Sequence, residues 1–511
     1  MTIMLDRLLG AAESIDDKLD IAKILLNRDN DEISSLLRDV LKRPTEHPIV
    51  SLLLDILPTY VVLYERLAGL LHDIGHIAFG HVTEGLLMNL IENDDKGSRE
   101  FKEFNCKPHE YMTFKLIEHS NNLDTILKSI PKPHITGLGV RRETLMSILA
   151  GRLINKKNIE LSEGAIKFMH SIIAGDIDAD RLDFILRDAY FAGISSLVDI
   201  DRIIEGYHPH ITDALNIKVA HSVKTLAALE NFIFTRIKMY EQVYYHHKGL
   251  AYSIITEEIV RTIKKRELLK DFLGIENMSE LITAICCEDP YLLTDDDFIR
   301  RLDIMLKRLE SNGIKDNEVR RLKYYVKCLK DRRYLPVSIL KRRGEVPIIR
   351  SYIEKRFRHE EIHEVSDEHI RSFLIKLEQI LKTALNRKKI IGELKNILNR
   401  FHENVNSSDI TIFCRIMYVK VLEKFPSNSK KEIPTPLVKT DKKIEPLIRV
   451  SPLIRDLRKN FIYTPLLYVY LAYTDPACPL LYNTFIKKPE LKEEIRNYLK
   501  RCVEKILTNS L

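Results

Sequence analysis

The chain is predicted to be mainly α, with a small β-hairpin and an additional helical region toward its C-terminal end. Three observations carry this. Apolar residues recur with helical periodicity from end to end, as in "LLRDVLKR", "ETLMSILAGRLI", "VKTLAALENFIFTRIKMYEQVYYH" and "LKEEIRNYLKRCVEKIL". Strict alternation is brief, at "ALNIKVAHS" (214–222), with "PHITDA" as its turn-rich approach. The 511 residues are 45% apolar and 30% charged without tryptophan, ordinary globular usage. That length suggests roughly two to four folding units.

Residues 1–40 form a predicted N-terminal helical segment. Its opening, "MTIMLDRLLGAAESIDDKLD", has no basic stretch followed by an apolar core, so neither a secretory signal nor a transit peptide is predicted and a cytoplasmic location is expected. The most apolar stretches are "PIVSLLLDILPTYVVLY" and "FIYTPLLYVYLAYT". Asp55, Pro58 and Pro465 interrupt them, and a membrane span needs about 20 apolar residues, so both are predicted as buried helices with no membrane contact. Cys106, Cys286, Cys287, Cys328, Cys414, Cys478 and Cys502 show no CxxC spacing, which argues against a disulfide framework or a thiolate zinc site.

Looser composition marks 92–108 and the Lys/Pro/Ser-rich 425–446, the better candidate for an exposed loop. The formal charge is +7, and residues 300–358 hold 19 Lys/Arg against 7 Asp/Glu. Such a segment could meet nucleic acid or another polyanion, or form the solvated faces of basic amphipathic helices.

Chemistry concentrates in "LLHDIGHIAFGH", residues 70–81. His72 and Asp73 end the apolar helical run "YERLAGLL". Neighbouring side chains on a helix diverge by about 100°, so the two can offer imidazole and carboxylate to a metal at the helix face. His76 follows one turn on, and Gly75 permits close backbone approach where the helix ends. A second cluster, "AGDIDADRLDFILRDAYFAGI" (174–194), places Asp176, Asp178, Asp180, Asp183 and Asp188 within thirteen positions. So many like charges repel unless cations are near, although the positive end of a helix also favours acidic residues.

Together these runs, H-D-x-G-H-x-x-F-x-H and D-x-D-R-x-D-[FY]-x-x-R-D, resemble the HD-domain phosphohydrolases. Within them the chain is most similar to the deoxynucleoside triphosphate triphosphohydrolase branch, which includes bacterial dGTPases and the vertebrate SAM-and-HD-domain enzyme. The resemblance covers about residues 41 to 255. It implies an HD-domain helical core over 41–265, followed by a helical, basic region over 266–511 with a loop near 425–446.

The resemblance further implies metal ligation by His72, Asp73 and Asp180, with His47 of "RPTEHPIVSLLL" as the remaining ligand. Two imidazoles and two carboxylates suit a divalent ion such as Fe, Mn, Ni or Zn, with Mg or Mn accompanying the nucleotide phosphates. "CKPHEYMTFKLIEH" nominates His109 as general acid, oriented by Glu84, and His76 and His81 match histidines beside the phosphates. "FTRIKMYEQVYYHHKG" implies that Arg236 contacts phosphate and Tyr244 the sugar, with His246 close by. Arg181 matches a phosphate contact and Asp188 a sugar 3′-hydroxyl contact, while Phe184 stands where a tyrosine is often found. Residues 1–40 contain no segment of the F-Q-R-L-R type that helps such enzymes read deoxyribose.

The expected activity is therefore metal-dependent cleavage of a nucleoside triphosphate, a dNTP above all, to nucleoside and triphosphate, by a homo-oligomer. Two other readings stand beside it: an HD phosphodiesterase or nuclease acting on nucleic acid or a signalling nucleotide, and a non-catalytic nucleotide- or nucleic-acid-binding protein on an HD scaffold. The intact His72, Asp73 and Asp180 set weighs against the last, because buried ligands without a metal are costly.

Overall fold

The computed structural model describes residues 61–130, 140–154, 163–175, 177–211, 217–288, 292–357, 367–400, 405–419, 421, 437–440, 443–475 and 480–509. His47, Asp176 and Cys478 lie outside these. The principal helices are α1 (61–71), α2 (Glu84–Glu92), α3 (Pro108–His119), α4 (Arg142–Ala150), α5 (Glu163–Ile173), α6 (Ala179–Ala192), α7 (Leu226–Met239) and α8 (His247–Lys265). They continue with α9 (Asp295–Ser311), α10 (Asn317–Lys330), α11 (Asp367–Leu385), α12 (Lys388–Asn399) and α13 (Pro489–Asn509). The protein is mainly α, as its periodicity predicts.

Two small sheets interrupt the helices. β1 (Tyr207–Ile211) and β2 (Ile217–Ser222) pair antiparallel, with Tyr207 opposite His221. This is the predicted hairpin. β3 (Val337–Leu340) and β4 (Ile410–Met417) flank β7 (Leu466–Tyr473), both antiparallel to it. β5 (Leu437–Lys439) and β6 (Ile444–Pro446) extend the first sheet in the order β1-β2-β5-β6. The far end of the predicted 425–446 loop is thus strand, with Val438 buried, while 422–436 lie outside the described residues.

β7 corrects the reading of "FIYTPLLYVYLAYT" as a buried helix. A helix, Pro452–Tyr463, does enter the stretch, but it ends before Pro465 and all eight residues of β7 are buried strand. A continuous apolar run has no period to distinguish a buried helix from a strand covered on both faces, and Tyr and Val favour the latter.

α13 shows how the C-terminal part holds together. Leu491, Ile495, Leu499, Val503 and Leu507 recur every fourth residue, all at 0% exposure, against the sheet and α11 and α12. Each such side chain contributes about 1.5–3 kcal/mol by leaving water.

Three cores meet at the histidine-rich run. Val61, Tyr64 and Ala68 of α1 pack with Phe114 and Ile117 of α3 and with α4 and α5. The other face of α3, through Tyr111, Met112 and Leu116, joins α2, α8, α9 and α10. Leu182, Ile185 and Ala189 of α6 pack against α7 in a third. No described helix is long and apolar enough to cross a membrane.

Candidate active site

α1 is rigid by burial, and it stops at a turn, residues 72–75, that is stapled to α3. Gly75 N–H donates to Thr113 Oγ1 at 3.0 Å, and the Thr113 hydroxyl donates to the His72 carbonyl at 3.2 Å. Only glycine fits there: a Cβ on Gly75 would lie 2.1 Å from the His109 carbonyl oxygen and 2.4 Å from Thr113 N. Gly75→Ala is therefore expected to destabilise the protein by about 1–3 kcal/mol or more, as overpacking does, measurable by urea unfolding.

The turn presents His72 with its Nδ1 set against the Gly69 carbonyl at 2.8 Å, which aims Nε2 outward. Nε2 lies 3.2 Å from Asp73 Oδ2 and 3.5 Å from Asp180 Oδ1. It is buried and has no hydrogen-bond partner. Donor atoms each about 2.1 Å from one ion sit roughly 3.0–3.5 Å apart, so an imidazole nitrogen and two carboxylates in this arrangement fit a divalent ion. Hydrogen bonding to Asp180, then to Asp73, raises the His72 pKa to about 10. Burial opposes the Asp73 charge, yet the His72 contact outweighs it and its pKa falls below the ordinary value.

Asp180 owes its position to the start of α6. Asp178 caps the helix, accepting from Arg181 N–H at 2.7 Å, and this places Asp180 in the first turn. The Arg181 guanidinium is bonded to the Asp178 carboxylate and the Gly175 carbonyl. Asp183 pairs with Arg187. Of the described aspartates in this acidic cluster, Asp180 is the one that faces His72.

Beside this centre stand three imidazoles and a carboxylate. Glu84 Oε1 lies 2.5 Å from His109 Nδ1 and 2.7 Å from His81 Nδ1. The His76 ring stacks on His109 with centroids 4.0 Å apart, and His81 meets His76 edge-on at 4.6 Å. Burial opposes the Glu84 charge, but hydrogen bonds to His109 and His81 prevail and hold its pKa far below the carboxylate range. His76 is pushed down to about 4, first by burial and then by His109. Ligand atoms of His76, His81, Glu84 and His109 all lie within 4.8 Å of one another, so this cluster could also hold a metal.

The segment joining His76 to His81 is held from a distant part of the chain, which the sequence reading missed. Phe79 and Gly80 both adopt positive φ, 60° and 57°. Phe79 N–H donates to Asp295 Oδ1 at 2.9 Å, and Ala78 N–H donates to the Leu293 carbonyl at 2.8 Å. Leu293, itself at φ 63°, is pinned by its N–H to Asp297 Oδ2 at 3.1 Å, which also accepts from Arg301 at 2.6 Å. Burial works against the Asp297 charge, but the bonds from Arg301, Leu293 and Arg300 outweigh it and lower its pKa.

Asp297→Ala should cost about 1–3 kcal/mol near neutral pH, because it leaves buried donors unmade. A depressed carboxylate stabilises above its unfolded pKa of about 3.9 and loses that contribution as pH falls through the folded value. Unfolding curves of the variant and parent should therefore converge below about pH 3.9.

A second group lies along α6. Asp180, Phe184 and Asp188 are spaced four apart on one helix face. Tyr244, from a π-helical turn Tyr240–Tyr244, donates to Asp188 Oδ2 at 2.7 Å, and its ring lies 6.1 Å from Phe184. Arg236 is buried, donates to the Val421 carbonyl at 3.4 Å and lies over the Tyr240 ring, which packs on Tyr244. His246 caps α8, accepting from Lys248 N–H at 3.4 Å, and packs on His247. The structure thus groups His72 with Asp73 and Asp180, His76 with His81, Glu84 and His109, and Phe184 with Asp188 and Tyr244; Arg181 and His246 are engaged in helix-start contacts.

No protein-family model matches the chain. It is 26% identical over 359 residues to an uncharacterized protein of Mycoplasma genitalium, covering 66% of this chain and 75% of that protein. The deoxynucleoside triphosphate triphosphohydrolase SAMHD1 homolog of Dictyostelium discoideum is 23% identical over 272 residues, 53% of this chain and 43% of that one. SAMHD1 of Homo sapiens is 25% identical over 256 residues, 47% and 38% of the two chains. The chain spans less than half the length of these two triphosphohydrolases, and it is their distant, HD-domain-like homologue.

Proposed function

We propose that the protein is a metal-dependent phosphohydrolase that cleaves deoxynucleoside triphosphates to deoxynucleoside and tripolyphosphate. The supporting observation is the buried, partnerless His72 Nε2 set between Asp73 and Asp180, next to the Glu84–His109 pair. Distant homology to triphosphohydrolases supports the same reading.

His72, Asp73 and Asp180, joined by His47, would hold a divalent ion, which supplies Lewis acidity toward phosphate oxygen and water. In the reaction a water oxygen bonds to the α-phosphorus while the bond from that phosphorus to the sugar O5′ breaks. The electron pair leaves on O5′, which takes a proton from His109; the water's proton returns to the imidazole through solvent. His109 suits this task because Glu84 engages Nδ1 and leaves Nε2 as the donor atom. His76 and His81 line the same side and would contact phosphate oxygens. Asp188 and Tyr244 would meet the sugar 3′-hydroxyl, with the Phe184 ring packing beside them.

Separating the products after incubation of each dNTP and NTP with Mn or Mg tests this. Tripolyphosphate and nucleoside are expected. Mononucleotide from nucleic acid or a signalling nucleotide, with nucleoside triphosphates untouched, would replace this reading with the phosphodiesterase.

A further inference from the structure

Away from the histidine centre, positive charge gathers at one place without carboxylates to balance it. Much of the basic excess in residues 300–358 is met by ion pairs: Arg301 with Asp297, Lys323 with Glu310 and Arg333 with Asp331, each at 2.6 Å, and Arg350 with Glu354 at 2.7 Å. Lys341, just after β3, is different. It shares a cleft with Lys248 and Lys492, and among the described residues none of the three has a carboxylate within 4.0 Å.

The cleft comprises two adjoining cavities of about 300 and 190 Å³ that have Ser338, Lys341 and Lys492 in common. Two long helices begin at its wall. α8 starts with His247 and Lys248 and carries no acidic residue in its first turn, and α13 has Lys492 in its first turn. A helix start already carries about half a positive charge, so lysines there are opposed by the dipole as well as by each other. Burial, then Lys492, lowers the Lys248 pKa; burial, then Lys341, lowers that of Lys492 and takes His247 to about 4. Arg496, on the first cavity's rim, is by contrast engaged by Glu345 and Glu493.

Three half-buried ammonium groups converging on two helix starts call for a compact anion with several charges. Unpaired charges out of water are costly, and only a ligand of opposite sign offsets that cost here. The other wall is apolar, with Val337, Phe485 and Ile486, and the Lys248 ammonium lies 5.3 Å from the Tyr482 ring centroid.

We propose that this cleft is a binding site for a condensed-phosphate anion, held by Lys248, Lys341 and Lys492 with help from the two helix starts. The shared chemistry is a chain of phosphates, free or carried on a nucleoside that rests on the apolar wall. The site stands independently of the hydrolytic reading.

The test is calorimetric titration of the full chain with sodium tripolyphosphate in EDTA, so that no divalent ion bridges the anion to the histidine centre. One site is expected. Lys341→Gln with Lys492→Gln should weaken it at least tenfold, and Lys248→Gln should weaken it too, while Asp180→Ala leaves it intact. The lysine variants should melt no lower than the parent, since they relieve like-charge repulsion. Unchanged affinity in the lysine variants, loss of binding in Asp180→Ala, or a lower melting temperature for the lysine variants would overturn the assignment. A nucleoside triphosphate tighter than tripolyphosphate, in the same EDTA buffer and lysine-dependent, identifies the nucleoside-borne form; equal affinity identifies the free phosphate chain.

Discussion

Asp180→Ala is expected to abolish turnover and bound metal together. The ion's stabilisation of charge in the transition state is of order several kcal/mol, so its loss corresponds to about a thousandfold or greater fall in rate. The geometry makes the prediction specific to this carboxylate. Asp178 is wholly buried and committed to capping α6 and to Arg181, and Asp183 is committed to Arg187; Asp180 Oδ1 is the oxygen facing His72. Asp178→Ala should accordingly show as a loss of stability of about 1 kcal/mol, the usual cost of a lost cap. Metal analysis and turnover measured on the same Asp180→Ala sample decide the matter, and an active, metal-loaded variant would remove Asp180 from the ligand set.

His109→Gln separates proton transfer from metal binding. General acid catalysis contributes about 10²- to 10⁴-fold, and turnover should fall by that factor while metal content stays at the parent level. The side chain is 4% exposed, and its Nδ1 contact with Glu84 fixes which nitrogen can serve the leaving oxygen. Turnover equal to the parent would take His109 out of the mechanism. Loss of metal along with turnover would instead favour the His76, His81, Glu84 and His109 cluster as a metal site.

What was legible in the sequence follows from how far each feature reaches along the chain. His72, Asp73 and His76 lie within one helix end, and Asp180 and Asp188 on one later helix, so local spacing was enough to nominate them. The grouping of Glu84 with His109 also matches the expectation. The supports were invisible because they are long-range: Gly75 meets Thr113 across 38 positions, and Phe79 meets Asp295 across 216. Glycine at 75 hinted at a close approach but not at its partner. β7 was misread because its apolar run has no period. The basic stretch looked like a polyanion surface because neutralising carboxylates such as Glu241, which pairs with Arg343, come from elsewhere in the chain.

Hydrolysis in oxygen-18-labelled water, followed by mass analysis of both products, tests the central claim most directly. The account predicts the label in tripolyphosphate and none in the nucleoside, because water attacks the α-phosphorus and the sugar keeps its O5′. Label in the nucleoside 5′-hydroxyl, or label in a mononucleotide with pyrophosphate as co-product, would contradict it.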